Sequence, residues 1–359
     1  MCSNCGISIN EVKSGEFAER MMTILNHGAL NLMISIGHRT GLFDVMSEIK
    51  PSTSEVIASA ANLNERYVRE WLGAMVTGEI IDYDSENKTY SLPQEHAVWL
   101  TREAVPNNIA VTTQWISVLG SVEDKIVDCF KNGGGVPYEA FERFHEVMSD
   151  ESDQTVIAPL LDQTLPLIPG IKERLEEGIN VLDVGCGSGF ALVHMAKEFP
   201  NSQFTGYDIS KEAVSRGNAH AAQHGLSNVN LIAKDVAQID DVQKYDFITT
   251  FDAVHDQADP DKVLRNINTA LKDDGVYLMQ DIAGSSHVHN NMDHLIGPFT
   301  YTISCMHCMT VSLSQDGKGL GAMWGKELAT DMLKDAGFTQ AEVKELEHDP
   351  FNYYYIVRK

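Results

Sequence analysis

Residues 181–189 read Val-Leu-Asp-Val-Gly-Cys-Gly-Ser-Gly, an apolar run that ends in Gly185, Gly187 and Gly189 with a carboxylate, Asp183, just before them. Without Cβ atoms these glycines let the backbone take positive φ and let a ligand come close to its N–H groups. Phe190-Ala-Leu-Val-His-Met-Ala-Lys197 follows with apolar residues at helical spacing. A glycine turn between a strand and a helix marks the ligand crevice of a doubly wound α/β sheet. Asp208 ends a second apolar run about twenty residues on, the spacing at which an acid meets ribose hydroxyls. Asp235 ends a third run that starts at Val229, and a fourth, Tyr245 to Asp252, leads into Ala-Val-His-Asp with His255 and Asp256. A histidine at the mouth of such a crevice can act as a general base, with the neighbouring carboxylate orienting the ring or raising its basicity. The competing reading of His255 is a cap for the helix that starts near Asp259-Pro260.

Helical stretches separate these four runs, so the C-terminal half predicts a doubly wound sheet with its ligand site at the strand ends. Asp349-Pro-Phe-Asn-Tyr-Tyr-Tyr-Ile-Val357 reads as a closing strand, and Glu327 to Gly337 as a helix that ends at a glycine cap. Upstream, residues 16–46 carry Phe17, Met21, Leu25, Ala29, Leu32, Ile36 and Leu42 at helical spacing. Thr53 to Ala61 is a short helix, Asn62 to Asn64 a turn, and Glu65 to Val76 a longer amphipathic helix. Ile80 to Asp84 and Thr89 to Leu92 form a hairpin around Ser85-Glu-Asn-Lys88. Helix, turn, helix and ribbon together predict a winged helix. Residues 155–177 read as a connecting helix pair broken at Pro166 and Pro169.

In order and without gaps, the C-terminal half resembles the class I S-adenosylmethionine-dependent methyltransferases. The resemblance implies S-adenosylmethionine as cofactor. It places the cofactor against Asp183, Gly185, Gly187, Gly189, Asp208, Ile209, Asp235, Val236 and Phe251. An NAD-dependent dehydrogenase shares the first strand–turn–helix logic. Its pyrophosphate requires a further glycine three residues on, which Gly-Cys-Gly-Ser-Gly lacks. S-Adenosylmethionine has no phosphate and carries a sulfonium and an ammonium, which suit Asp183. Asp235 fits hydrogen bonding to an adenine amino group.

Over its full length the chain resembles small-molecule O- and S-methyltransferases of the plant type and of a related bacterial and nematode-like group. That resemblance implies a Rossmann-like sheet domain at 161–359 behind a mainly helical winged-helix domain at 1–160 that dimerises and roofs the acceptor pocket. It gives His255 and Asp256 the catalytic role, although the Trp-Ser expected after a plant-type His-Asp pair is Gln257-Ala258 here. Phe144, His145, Met148, His307, Cys308 and Trp324 are its candidate acceptor-pocket residues. Ordinary helix core is the competing reading for Phe141 and Phe144, and a small core residue for Cys308. Cys2-x-x-Cys5 and Cys305-x-x-Cys308, with His287, His289, His294 and His307, raise the question of zinc. The second pair lacks a glycine-rich knuckle and the first lies at a terminus, so the expectation is no metal.

Charge narrows the partners. The chain has 359 residues with 27 Lys+Arg against 51 Asp+Glu, a formal charge of −24. A phosphate backbone or an anionic membrane surface is repelled by that balance. The rival function, a winged-helix DNA-binding regulator that senses S-adenosylmethionine, needs a basic wing, and this one carries Asp82, Asp84 and Glu86 against Lys88. The N-terminus lacks the basic and apolar regions of a secretory signal, and Cys2 excludes N-terminal myristoylation. No run reaches the roughly 18 apolar residues of a membrane span. Six cysteines in so long a chain do not read as a disulfide framework. The expectation is a cytoplasmic homodimer acting on a small-molecule methyl acceptor.

Overall fold

In the computed structural model, which describes residues 9–359, the first element is the 30-residue helix α1 (Glu11–Thr40). The Cys2–Cys5 pair lies outside the described residues. Asn10 caps α1 by accepting from the Lys13 N–H at 3.1 Å, and Gly41 ends it in the left-handed region at φ 72°. Helices α2 (Leu42–Glu48), α3 (Ser54–Ala61) and α4 (Glu65–Thr77) follow, with Asn62 in the left-handed turn between α3 and α4 at φ 54°. Phe43, Ile57, Val68, Trp71, Leu72 and Met75 fill the core among them. Gly37 is required on α1, because a Cβ there would stand 2.6 Å from the Trp71 ring. Strands β1 (Asp82–Asp84) and β2 (Thr89–Ser91) pair antiparallel as the wing, and α5 (Gln94–Leu100) follows. The expected winged helix is present.

The chain forms two compact units, the first ending at Ser117 and the second running from Val118 to Lys359. That division falls inside α6 (Gln114–Gly120). The second unit opens with α7 (Glu123–Asn132) and α8 (Phe144–Ser152). Two single π-helical turns, Asp153–Ile157 and Leu160–Thr164, come next where a helix pair was expected. At Pro166 the chain tightens into the 3-10 turn Leu165–Leu167 before α9 (Ile171–Glu177).

Seven strands make the sheet. They are β3 (Asn180–Val184), β4 (Gln203–Asp208), β5 (Val229–Ala233), β6 (Tyr245–Phe251), β7 (Leu271–Ile282), β8 (Gln340–Leu346) and β9 (Asp349–Arg358), in the spatial order β5-β4-β3-β6-β7-β9-β8. The first five are parallel, and β9, the expected closing strand, inserts antiparallel between β7 and β8. Helices α10 (Phe190–Glu198), α11 (Lys211–Gln223), α12 (Pro260–Ala270) and α15 (Gly325–Asp335) connect or follow the strands. Two apolar clusters, one holding Leu182, Ile248 and Tyr277 and the other Val181, Phe247 and Leu278, cover the sheet's two faces. That is why β3 and β6 are buried nearly continuously along their length rather than at alternate positions. The topology reverses between β3 and β6, the crevice position for this class of sheet. Residues 297–314 are helical: α13 (Gly297–Ile303), a π turn (Ser304–Cys308) and α14 (Met309–Ser314).

Candidate active site

The glycine turn closes against β4. The N–H groups of Gly185 and Cys186 both donate to the Tyr207 carbonyl, at 2.8 and 3.1 Å. Gly185 has φ 74° and lies so close to Ala253 that a Cβ would sit 2.7 Å from the Ala253 Cβ, which ties the turn to the segment carrying His255. A Cβ on Gly187 would meet nothing within 4 Å among the described residues, which leave open space over the centre of the turn. The Gly187 N–H donates to Asp208 Oδ2 and the Ser210 N–H to Oδ1, both at 2.8 Å. Each carboxylate oxygen keeps a further lone pair for a ligand. Asp235 lies two residues beyond β5 and caps a 3-10 turn, accepting from the Ala237 N–H and Gln238 Nε2 at 2.9 Å. Ile209 is exposed beside Asp208, Val236 is buried, and Phe251 is half-buried at the end of β6.

Asp183 is buried beneath the turn, and Thr249 Oγ1 donates to it at 2.8 Å. Burial raises its carboxyl to about 7, against the Thr249 bond and aided by the Asp208 charge. Its folded pKa is thus raised above the unfolded one, so its stabilising contribution is full below pH 4 and is lost as pH rises through 7. Between pH 5 and pH 8 the loss should be on the order of 2–3 kcal/mol. Asp183→Asn is expected to remove that part of the pH dependence of denaturant unfolding. An identical pH 5 to pH 8 difference in the variant would contradict it.

His255 is buried where the chain leaves β6. Its Nδ1 lies 2.7 Å from Asp281 Oδ1, an oxygen that also accepts from Trp324 Nε1 and the Ile282 N–H, both at 2.9 Å. Its Nε2 lies 3.2 Å from Asp256 Oδ1. Burial disfavours the charged ring, but the flanking carboxylates of Asp281 and Asp256 outweigh it and hold His255 well above its ordinary pKa. Asp281 thus holds Nδ1, while Asp256, the carboxylate expected to orient the ring or raise its basicity, stands at the ring's other nitrogen. The signal for Asp281 was available, since it ends a strand of the same sheet as Asp208 does. Register explains its arrival: Phe251 pairs with Gln280 across β6 and β7, which sets the two strand ends side by side.

Around this trio stands an aromatic group. Phe144 stacks on His307 at 4.4 Å and 8°, and Phe141 meets His307 edge-on at 4.8 Å. Burial holds the His307 ring neutral, with a pKa lowered to about 4. Tyr138, which sequence reasoning missed, donates to Asp256 Oδ2 at 3.1 Å across 118 positions. Gly135 makes this possible, because a Cβ there would lie 2.0 Å from the Thr310 carbonyl oxygen. The adjoining Val136 N–H donates to Thr310 Oγ1 at 2.8 Å. Cys308 is buried within reach of His255 and Asp256. The structure thus brings together Phe144, His307, Cys308, His255 and Asp256. Trp324 is buried and holds Asp281, His145 is exposed, and Met148 is half-buried.

Residues 175–348 match the family described as a methyltransferase domain, and residues 28–102 that of an Rv2258c-like winged HTH domain. The second unit carries a class I methyltransferase domain. S-Adenosylmethionine is the methyl donor of this class. The open turn, the two-oxygen acceptor at Asp208 and the capping acid at Asp235 fit its sugar and base. A probable (S)-tetrahydroprotoberberine N-methyltransferase 2 from Papaver bracteatum is 30% identical over 105 residues, 29% of each chain. A ubiquinone biosynthesis O-methyltransferase from Coxiella burnetii is 32% identical over 100 residues, 28% of this chain and 42% of that one. The chain thus spans well under two thirds of these curated relatives. In fold it is similar to a putative O-methyltransferase from Nostoc punctiforme, with TM-score 0.71 and 17% identity over 95% of this chain and 98% of that one. It is likewise similar to human N-acetylserotonin methyltransferase, solved in complex with SAM, with TM-score 0.66 and 16% identity over 95% and 97%.

Proposed function

We propose that this methyltransferase moves a methyl group from S-adenosylmethionine to a hydroxyl or thiol of a small molecule. The observation that carries this reading is His255, buried between two carboxylates on a segment that packs directly against the glycine turn. The donor supplies a methyl group already activated on a sulfonium, so the protein's work is to orient the partners, exclude water and take a proton. Asp208 is assigned the ribose hydroxyls and Asp235 the adenine amino group. His255 Nε2, in the neutral form of the ring, takes the acceptor's proton, and the carboxylates of Asp281 and Asp256 stabilise the imidazolium that forms. Phe144, His307 and Cys308 form the acceptor side. The rival DNA-binding regulator finds an acidic surface on the wing, where Asp84 is held by the Glu86 and Asn87 N–H groups. A screen of phenols, catechols and small thiols for S-adenosylhomocysteine release tests the reading. Release with at least one class is expected. No release with any, together with DNA retention in a low-salt gel shift, would favour the regulator.

The protein is further proposed to work as a homodimer through α1. Phe17 and Leu25 are 62% and 63% exposed on this helix, and Met21, Met22 and Ile24 lie exposed with them. Such an apolar stretch calls for a partner surface, and a second copy supplies a self-complementary one. Removal of residues 1–30 is expected to give monomers or aggregates on size-exclusion chromatography with light scattering. An active, well-behaved monomer would contradict the proposal.

A further inference from the structure

We propose that His255, Asp256 and Cys308 form a binding site for a thiophilic divalent cation, Zn2+ above all, and that metal binding and base catalysis exclude each other. One ligand atom from each of the three lies within 4.8 Å of the others, and no sequence spacing announces the set. It uses only the second member of Cys305-x-x-Cys308, joined to residues from another segment.

Several features make it a built site. Asp281 occupies His255 Nδ1 at 2.7 Å, which directs Nε2 toward Asp256 and Cys308. A carboxylate on the far nitrogen is the arrangement that orients metal-bound histidines and raises their basicity. Asp281 is itself held by Trp324 Nε1 and the Ile282 N–H. Asp256 is anchored through Oδ2 by the Tyr138 hydroxyl at 3.1 Å, while its Oδ1, buried and without a hydrogen bond among the described residues, lies 3.2 Å from His255 Nε2. One nitrogen, one carboxylate oxygen and one sulfur suit Zn2+ or Co2+, whereas Mg2+ and Ca2+ prefer oxygen alone. Three protein ligands leave a fourth position open, as in catalytic rather than structural zinc sites. Among the described residues, Asp252 Oδ1 and Asp281 Oδ2 are also buried without hydrogen bonds, so polar oxygens beside the site remain unsatisfied. Binding displaces to solvent the Cys308 proton and any proton on His255 Nε2, and forms one metal–sulfur, one metal–nitrogen and one metal–oxygen bond, with no change of oxidation state.

The exclusion of base catalysis rests on the proposed methyl-transfer reading, because the metal takes the nitrogen assigned to the base. The site itself does not. Chelator-treated full-length protein titrated with Co2+ tests the site without any acceptor. One equivalent per chain should produce thiolate-to-cobalt charge-transfer absorption with the visible bands of a tetrahedral site, and Zn2+ should bleach both. Cys308→Ser and Asp256→Asn should weaken Co2+ binding by at least about tenfold, whereas substituting serine at Cys2, Cys5 and Cys305 together should leave the spectrum intact. Absence of the band, or its loss in the triple variant with survival in Cys308→Ser, overturns the site. Loss of methyl transfer at one equivalent of Zn2+, reversed by chelator, supports the exclusion. Full transfer by protein that shows stoichiometric binding overturns the exclusion and leaves the site standing. A chain that binds Co2+ as described and transfers to no acceptor overturns the methyl-transfer reading instead.

Discussion

His255→Ala is expected to lower turnover with a hydroxyl acceptor by about 10²–10⁴-fold, the usual cost of removing a general base, with donor affinity nearly unchanged. A phenolic hydroxyl has a pKa of about 10 and is almost wholly protonated at neutral pH, so its attack depends on a group that takes the proton. A thiol, at about 8.5, supplies thiolate unaided and is intrinsically the better nucleophile. With a thiol acceptor the loss should be modest, and raising the pH toward the thiol's own pKa should restore much of it. Single-turnover rates with matched phenol and thiol acceptors, beside calorimetric donor binding, separate the two cases. Full activity of the variant with every acceptor at neutral pH would make His255 structural. The surroundings of the ring argue against that role, because two carboxylates, a tryptophan N–H and a tyrosine hydroxyl converge on it directly or at one remove.

The second large effect is expected at Asp208. Hydrogen bonds to a charged acceptor contribute about 1.5–3 kcal/mol each, and Asp208→Ala removes the acceptor proposed for both ribose hydroxyls. Loss of one such bond corresponds to roughly 10–150-fold in Kd, and loss of both to more. The substitution also frees the N–H groups of Gly187 and Ser210, which loosens the glycine turn. Asp208→Asn keeps one oxygen but turns an amide N–H toward one of those backbone donors, so its affinity should fall between wild type and alanine. Calorimetry with S-adenosylmethionine checks the order, and unchanged affinity in the alanine variant would remove Asp208 from the site.

Much of the fold was legible because its causes are local. The apolar runs at β3, β4, β5 and β6, each followed by helical spacing, arise from side-chain periodicity within a dozen residues. Gly185, Gly187 and Gly189 announced their turn because L-residues rarely take the backbone they adopt, at φ 74°, 53° and 62°. The winged helix was equally readable from Asn62, the Ser85–Lys88 turn and the apolar face of α4. Asp208, Asp235 and His255 stood out because a parallel sheet delivers the ends of its strands to one crevice, so position along the chain already names the edge. Where pattern is ambiguous the reading stopped short: residues 302–309 carry an apolar run without a clear period, and only packing made them helical.

The sequence by itself determined the sheet, its glycine crevice, the acids at its strand ends and the candidate base. Which groups surround that base was decided by tertiary structure alone. Asp281 reaches Nδ1 across 26 positions because β7 lies beside β6 in a register that aligns Phe251 with Gln280. Tyr138 reaches Asp256 because Gly135 lets its segment close on the Thr310 backbone. Phe144 and His307 stack although α8 and the π turn are far apart in the chain. Periodicity encodes the face a residue presents and the end of the strand it occupies. The neighbour it meets there depends on strand order and on how closely two backbones approach, and neither is a property of any short stretch of chain.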